Sequence, residues 1–462
     1  MIETLISIVF CLSSALTVLI LLLPSQYDPE QAESRTGSNA TKNCKTSVQI
    51  LVLGDIGRSP RMQYHALSIA KHGGEVIIIG YNESDPHPGI TSHPNISIVP
   101  LRPHPALLQT SNKLLFTIYG PLKVLFQIAC LWKCLAYSTK PSRWLLVQNP
   151  PSIPTLAIAS IVCYLRQTRL IIDWHNFGYS ILALKLGQSH PLVKLSIWYE
   201  KTFCKSASAH LCVTNAMKFI LKRDFNLKAP VLPLHDRPAS HFTPILDPNA
   251  RTEFLANLPE IKEVLHTLTE GSPRILVSST SWTADEDFAV LIDALLQYSE
   301  IATTTQPHLP KVLAIITGKG PQKEMYVEQI AALENSGKLK KVTIRTAWLS
   351  VPDYARLLAS ASLGVSLHTS SSGVDLPMKV VDMFGAGLPV VGWDRFEAWP
   401  ELVTEGVNGV GFGSSEQLAE HLVELFGDSG RLEILRLGAQ KESLRRWDDE
   451  WDPIAGSLLG LT

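Results

Sequence analysis

Lys379 and Asp382 stand three residues apart in the run Pro377-x-Lys379-x-x-Asp382, a spacing that puts both side chains on one face of a helix. If that face lies at the carboxyl ends of parallel strands, it meets the phosphates and ribose of a nucleotide. The ammonium neutralises phosphate charge, and the carboxylate accepts hydrogen bonds from ribose hydroxyls. The segment continues through Gly385-Ala386-Gly387-Leu388-Pro389 to Glu401-Leu402-Val403 and Glu405-Gly406-Val407-Asn408-Gly409. Each piece alone reads as an ordinary helix, turn or loop. The ordered run of four favours a nucleotide-sugar site.

Two further clusters carry chemistry. Gly54-x-x-Gly57 follows an apolar run and lacks the third glycine of a dinucleotide fingerprint. It suits instead a turn that brings backbone close to a substrate diphosphate at a helix N-terminus, with Gly57 in the turn and Arg58 and Arg61 gripping phosphate oxygens. The second cluster is Asp173-Trp174-His175, at a strand exit. His175 is positioned to deprotonate an acceptor hydroxyl, and Asp55, at the end of the first strand, is the rival base. Spacing alone does not separate them. Asp285-Glu286-Asp287 precedes an apolar-periodic helix and reads as the acids that favour a helix N-terminus. No essential metal or cofactor is expected, because lysines and helix dipoles can stabilise a leaving diphosphate.

These residues need two parallel sheets to position them. Val48–Leu53, a helix over Met62–Lys71 and the strand Glu75–Gly80 form a βαβ unit. Strands are expected at Trp144–Val147, Leu170–Asp173 and His210–Val213, then at Arg274–Ser279, Lys311–Ile316, Val342–Ala347 and Leu363–Leu367. A proline-rich passage near 230–248 separates the halves. The expected organisation is an anchor at 1–24, a tether at 25–46, Rossmann-like domains at 47–240 and 241–430, and a helical tail at 431–462.

The 462 residues suffice for two ordinary domains. A net charge of −1 provides no field for a nucleic-acid partner. Thr4–Leu23 is uncharged and of bilayer-spanning length, ending at Pro24, which predicts one retained transmembrane helix. Lys and Arg downstream of it favour a cytosolic body. The seven cysteines, odd in number and all in the first half, agree with small buried hydrophobes. The sequons at Asn39, Asn82 and Asn95 would matter only in a lumenal body. Between Asp85 and Asp173 lie eight basic residues and no acid. Apolar segments carrying only positive charge suit anionic membrane lipid, and Tyr119-Gly120-Pro121 is expected to interrupt the longest of them.

The order of elements resembles the GT-B architecture of glycosyltransferases, with two Rossmann-like domains and an N-terminal transmembrane anchor in this chain. Gly318-Lys319-Gly320-Pro321 is similar to the GxGP loop of many such enzymes, which implies that Lys319 meets the donor diphosphate, with Gly318, Gly320 and Ser281 in the donor site. GDIGRSPRMQYHALSIA, DWHNFGYSIL, SSTSWTADEDF and SGVDLPMKVVDMFGAGLPV together resemble the chitobiosyldiphosphodolichol β-mannosyltransferases, from Val48 to the C-terminus. That resemblance implies inverting transfer of mannose from GDP-mannose to dolichol-diphosphate-linked chitobiose, with a β-1,4 bond. It also implies the cytosolic face of the endoplasmic reticulum membrane, with other glycosyltransferases of the same pathway as candidate partners. The broader superfamily pairs two glutamates about the donor helix. Here Asp375 and Asp382 stand one residue closer, and the ribose role carries to Asp382. Two other readings remain: a different GT-B transferase of lipid-linked oligosaccharide synthesis, or an inactive membrane-tethered scaffold.

Overall fold

The computed structural model describes residues 6, 10, 13–14, 17, 20–30, 46–105, 113–259, 262, 273–283 and 286–462. Most of the expected anchor and tether, and Asp285, lie outside the described residues. Among the described residues no helix is long and apolar enough to cross a membrane.

The chain divides into two compact units. Unit 1 takes Met1–Cys212, Ile220–Leu232 and Trp451–Thr462; unit 2 takes Val213–Phe219 and Pro233–Glu450. Unit 1 is built on β1 (Ser47–Asp55), α1 (Pro60–Lys71), β2 (Glu75–Tyr81), β3 (Ile96–Pro100), α2 (Lys113–Lys133), β4 (Trp144–Asn149), α3 (Thr155–Arg166), β5 (Arg169–Trp174), α4 (Gly178–Leu186), α5 (Pro191–Phe203), β6 (Ala209–Cys212), α6 (Asn215–Arg223) and β7 (Val231–Pro233), with α6 shared between the units. Its sheet runs in the order β3-β2-β1-β4-β5-β6-β7, and the pairings from β3 through β6 are parallel. Val48, Ile50, Leu51 and Val52 of β1 are all almost fully buried, as expected of a central parallel strand covered on both faces. Pro60 starts α1 at its first turn, where the missing N–H costs nothing. The expected break at Tyr119-Gly120-Pro121 is not seen: α2 runs through Pro121 as one helix. The reversal of strand order falls between β1 and β4, which places the exits of β1, β4 and β5 beside the switch point.

Unit 2 repeats the plan with β8 (Arg274–Ser279), α7 (Ala289–Thr304), β9 (Val312–Thr317), α8 (Lys323–Asn335), β10 (Val342–Ala347), α9 (Val351–Ser360), β11 (Leu363–Ser366), α10 (Met378–Gly385), β12 (Val390–Trp393), β13 (Gly409–Phe412), α11 (Ser415–Gly427) and α12 (Ser429–Glu442). The order is β10-β9-β8-β11-β12-β13, every pair parallel. Its switch point lies at β8–β11, so the loops after β8, β9 and β11 carry the residues singled out in this half. α10 buries Val380, Val381 and Phe384. That stripe turns Lys379 and Asp382 to its other side, as the spacing requires.

Candidate active site

In unit 1 the exit of β5 supports a buried polar cluster. The carboxylate of Asp173 is 0% exposed. It accepts two hydrogen bonds from Arg61, Nε to Oδ2 at 2.8 Å and Nη2 to Oδ1 at 2.9 Å. His65 Nε2 lies 3.2 Å and His175 Nε2 2.9 Å from Oδ2. Burial alone would raise the pKa of Asp173. The Arg61 guanidinium, His175 and His65 more than reverse this and hold its pKa well below the usual carboxylate range, so Asp173 is ionised and accepts only.

That charge assigns both imidazole tautomers. Trp451 Nε1 donates to His65 Nδ1 at 2.9 Å, which leaves the His65 proton on Nε2, where it is given to Asp173. Burial pushes the pKa of His65 down, so the ring is neutral. His175 likewise donates from Nε2 to Asp173, leaving Nδ1 as the basic nitrogen. Its side chain is 24% exposed, the only ring of the two that reaches water. An ionised acid that orients a partly exposed imidazole is the arrangement of a general base.

Three expectations for this half change. Arg61 does not grip a substrate phosphate: its side chain is 5% exposed and its guanidinium is committed to Asp173. Asp55 is a brace. Its Oδ1 accepts the backbone N–H of Glu83 and Ser84, both at 3.1 Å, and ties the loop after β2 to β1. Burial raises its pKa, but the hydrogen bonds from Ser84 and Glu83 bring it below the ordinary value, the wrong direction for a base. Gly57 serves close packing, since a Cβ there would sit 2.6 Å from the Ser84 carbonyl oxygen. Arg58 alone of the expected phosphate cations is open to solvent, its side chain 82% exposed.

In unit 2 two loops interlock. Gly318 has φ of +130°, and a Cβ on it or on Gly320 would lie 1.8 Å from the carbonyl oxygen of Thr280 or Ser281. Only glycine permits this approach, and it brings Lys319 next to the 280–286 loop. Lys319 Nζ rests 3.9 Å from the centre of the Trp348 ring, a cation–π contact.

Glu286 is the residue that sequence reasoning missed. It is buried, accepts from Thr280 Oγ1 at 2.9 Å, Ser281 N at 2.6 Å and Ser281 Oγ at 3.1 Å through Oε2, and pairs with Lys379 Nζ through Oε1. Burial opposes its ionisation, yet the Lys379 charge and these hydrogen bonds leave its pKa lowered. Ser281, expected to bind donor directly, gives its hydroxyl to Glu286. Asp382 follows Lys379 one turn along the same face of α10. Burial, and after it the charge of Asp236, push its pKa up to about 7. Asp375 is held by His368 Nε2 at 3.0 Å, by Ser370 and by Ser372 Oγ at 3.2 Å. The structure thus joins Lys379, Glu286 and Ser281 and interlocks their loop with Gly318 and Gly320.

Comparison with known proteins fits this geometry. The family model for glycosyl transferases group 1 matches residues 272–428, which carry all the donor-side residues above. A protein of Arthroderma benhamiae named chitobiosyldiphosphodolichol β-mannosyltransferase is 52% identical over 98% of this chain and 98% of its own. The chain belongs to that family. A further relative, the UDP-glycosyltransferase TURAN of Arabidopsis thaliana, is 41% identical over 89% of this chain and 96% of its own. Among solved structures, sucrose-phosphate synthase from Thermosynechococcus elongatus superposes with a TM-score of 0.62 at 13% identity, covering 90% of this chain and 98% of the other. At that identity the match concerns the fold, which is GT-B. Membership makes the chain a hexosyltransferase.

Proposed function

We propose that this chain moves mannose from GDP-mannose to chitobiose on a dolichol diphosphate carrier, forming a β-1,4 bond with inversion. The observation that carries the reading is its family membership across nearly the full length of a mannosyltransferase; the buried Asp173 that orients His175 supports the chemistry. His175 Nδ1 takes the proton of the acceptor hydroxyl, and that oxygen attacks C1 of mannose. The bond from C1 to the diphosphate oxygen breaks, and GDP leaves with the bonding electrons. Asp173 stabilises the imidazolium that forms. Lys319 and Lys379 hold the diphosphate, Glu286 aims Lys379, and Asp382 meets the ribose. Arg58, on the turn at Gly57, meets the acceptor diphosphate. In this mechanism lysine charge does what a metal does in other transferases.

The reading places the body on the cytosolic face of the endoplasmic reticulum, tethered through residues 25–46 to a single-pass anchor at 1–24. The acid-free stretch between Asp85 and Asp173 supports contact with membrane lipid.

The test is transfer from several nucleotide sugars to lipid-linked chitobiose, with and without EDTA. GDP-mannose alone should serve, and EDTA should leave the rate unchanged. Preference for a UDP-sugar, the alternative favoured by the name of the Arabidopsis relative, would replace the donor assignment. Absence of transfer from any donor would leave the scaffold reading.

A further inference from the structure

From residue 86 to residue 212 the chain carries twelve lysines and arginines and two acids, Asp173 and Glu200. Both acids are 0% exposed, so no carboxylate of this stretch reaches the surface. The same surface is apolar where α4 and α5 pack as a pair joined by a four-residue turn, 187–190. α4 buries Ser180 alone. α5 buries one stripe, Val193, Ser196 and Glu200, and the side opposite holds Lys194, Leu195 and Trp198. Leu195 is 49% and Trp198 57% exposed, with Leu184 of α4 at 59%. A helix that faces water carries polar residues there. Glu200 fixes the pair to the body from its buried side: its Oε1 accepts the Gly178 N–H at 2.8 Å and the Ser152 hydroxyl.

We propose that the outward face of α4 and α5 docks on a bilayer surface bearing anionic headgroups. Tryptophan and leucine enter the headgroup–acyl boundary, while Lys185 and Lys194 keep their amines among the lipid phosphates. A protein partner would have to offer acids around an apolar centre; an anionic membrane presents that chemistry everywhere. Docking also has a catalytic consequence, which rests on the proposed transfer reaction. His175 lies three residues before α4, so a seated helix pair holds the base close to headgroup level, where the diphosphate of a polyprenyl carrier stays.

The measurement is quenching of tryptophan emission in the full chain by vesicles whose phospholipids carry brominated acyl chains. The spectrum of wild type minus that of Trp198→Phe isolates the exposed ring. With phosphatidylserine present, the difference emission should fall by at least half. Lys185→Gln and Lys194→Gln should each weaken the dependence on anionic lipid roughly fivefold. An unquenched Trp198, whether the face is bare or covered by a second copy, overturns the proposal even if the chain floats with the vesicles through its N-terminal segment. The readout needs no substrate. Quenching without mannose transfer would overturn the reaction and leave docking standing; transfer without quenching would overturn docking alone.

Discussion

Asp173 in unit 1 and Asp382 in unit 2 are both withdrawn from water, yet their acidities move in opposite directions. Asp173 is held well below the usual carboxylate range, whereas Asp382 is pushed up to about 7. Burial raises both. The difference is the company each keeps: Arg61, His65 and His175 surround the first, and another carboxylate, Asp236, stands by the second. The unit 1 cluster is a charge network in which one carboxylate holds a guanidinium and two imidazoles. In unit 2 the matching network is Glu286 with Lys379, and Asp382 remains outside it. Electrostatic completion marks the groups that position others. A buried carboxylate with no cation beside it among these causes is left poised near neutrality.

Removing the imidazole that the network aims has the largest expected effect. His175→Ala should lower the transfer rate by roughly 10²–10⁴ with the thermal midpoint retained, the range of a general base. Asp55→Asn should keep most of the rate; the reverse pattern would return the base to Asp55. Lys379→Ala should abolish turnover on the donor side without unfolding the chain, checked by rate and circular dichroism together. Unchanged activity would refute its role.

Stability separates the two acids. Asp173→Asn leaves the Arg61 guanidinium buried without a carboxylate and should cost about 3–5 kcal/mol in denaturant unfolding. Asp382→Asn should instead stabilise the chain near pH 7, because it removes a carboxylate that is ionised in the unfolded state and that burial disfavours in the fold, while weakening nucleotide binding. Equal costs would collapse the contrast between the units.

The pH dependence follows with a sign for each. The Asp382 pKa rises from 3.8 to about 7 on folding. Its contribution is therefore fully present below pH 3.8 and lost as pH rises through about 7. Asp173, with its pKa depressed, contributes stability above 3.8 and loses it as pH falls through its native value. Across pH 4–8 the melting temperature of wild type minus that of Asp382→Asn should decline by a few degrees. A flat difference would mean that Asp382 ionises normally.

Much of this molecule is legible in its residues. Short, mostly apolar runs such as Val48–Leu53 and Lys311–Ile316 mark buried parallel strands, because a strand covered on both faces lacks the alternating polar side of a half-exposed one. The three-residue interval between Lys379 and Asp382 fixes their shared helix face, since helical geometry is local. Gly318 and Gly320 flag a close backbone approach for the same reason: a missing Cβ is visible in the sequence even when its neighbour is not.

What the sequence did not determine is which charges meet. Arg61 and Asp173 are 112 residues apart, Glu286 and Lys379 are 93, and His65 and Trp451 are 386. No local rule pairs them. An arginine beside a glycine turn looks the same whether it grips a phosphate or braces a buried acid, and Glu286 in an acidic triplet looks like any helix-start carboxylate. Folding decides these roles, because the strength and sign of a charge's effect depend on distance and on water excluded around it. Both are properties of the packed chain.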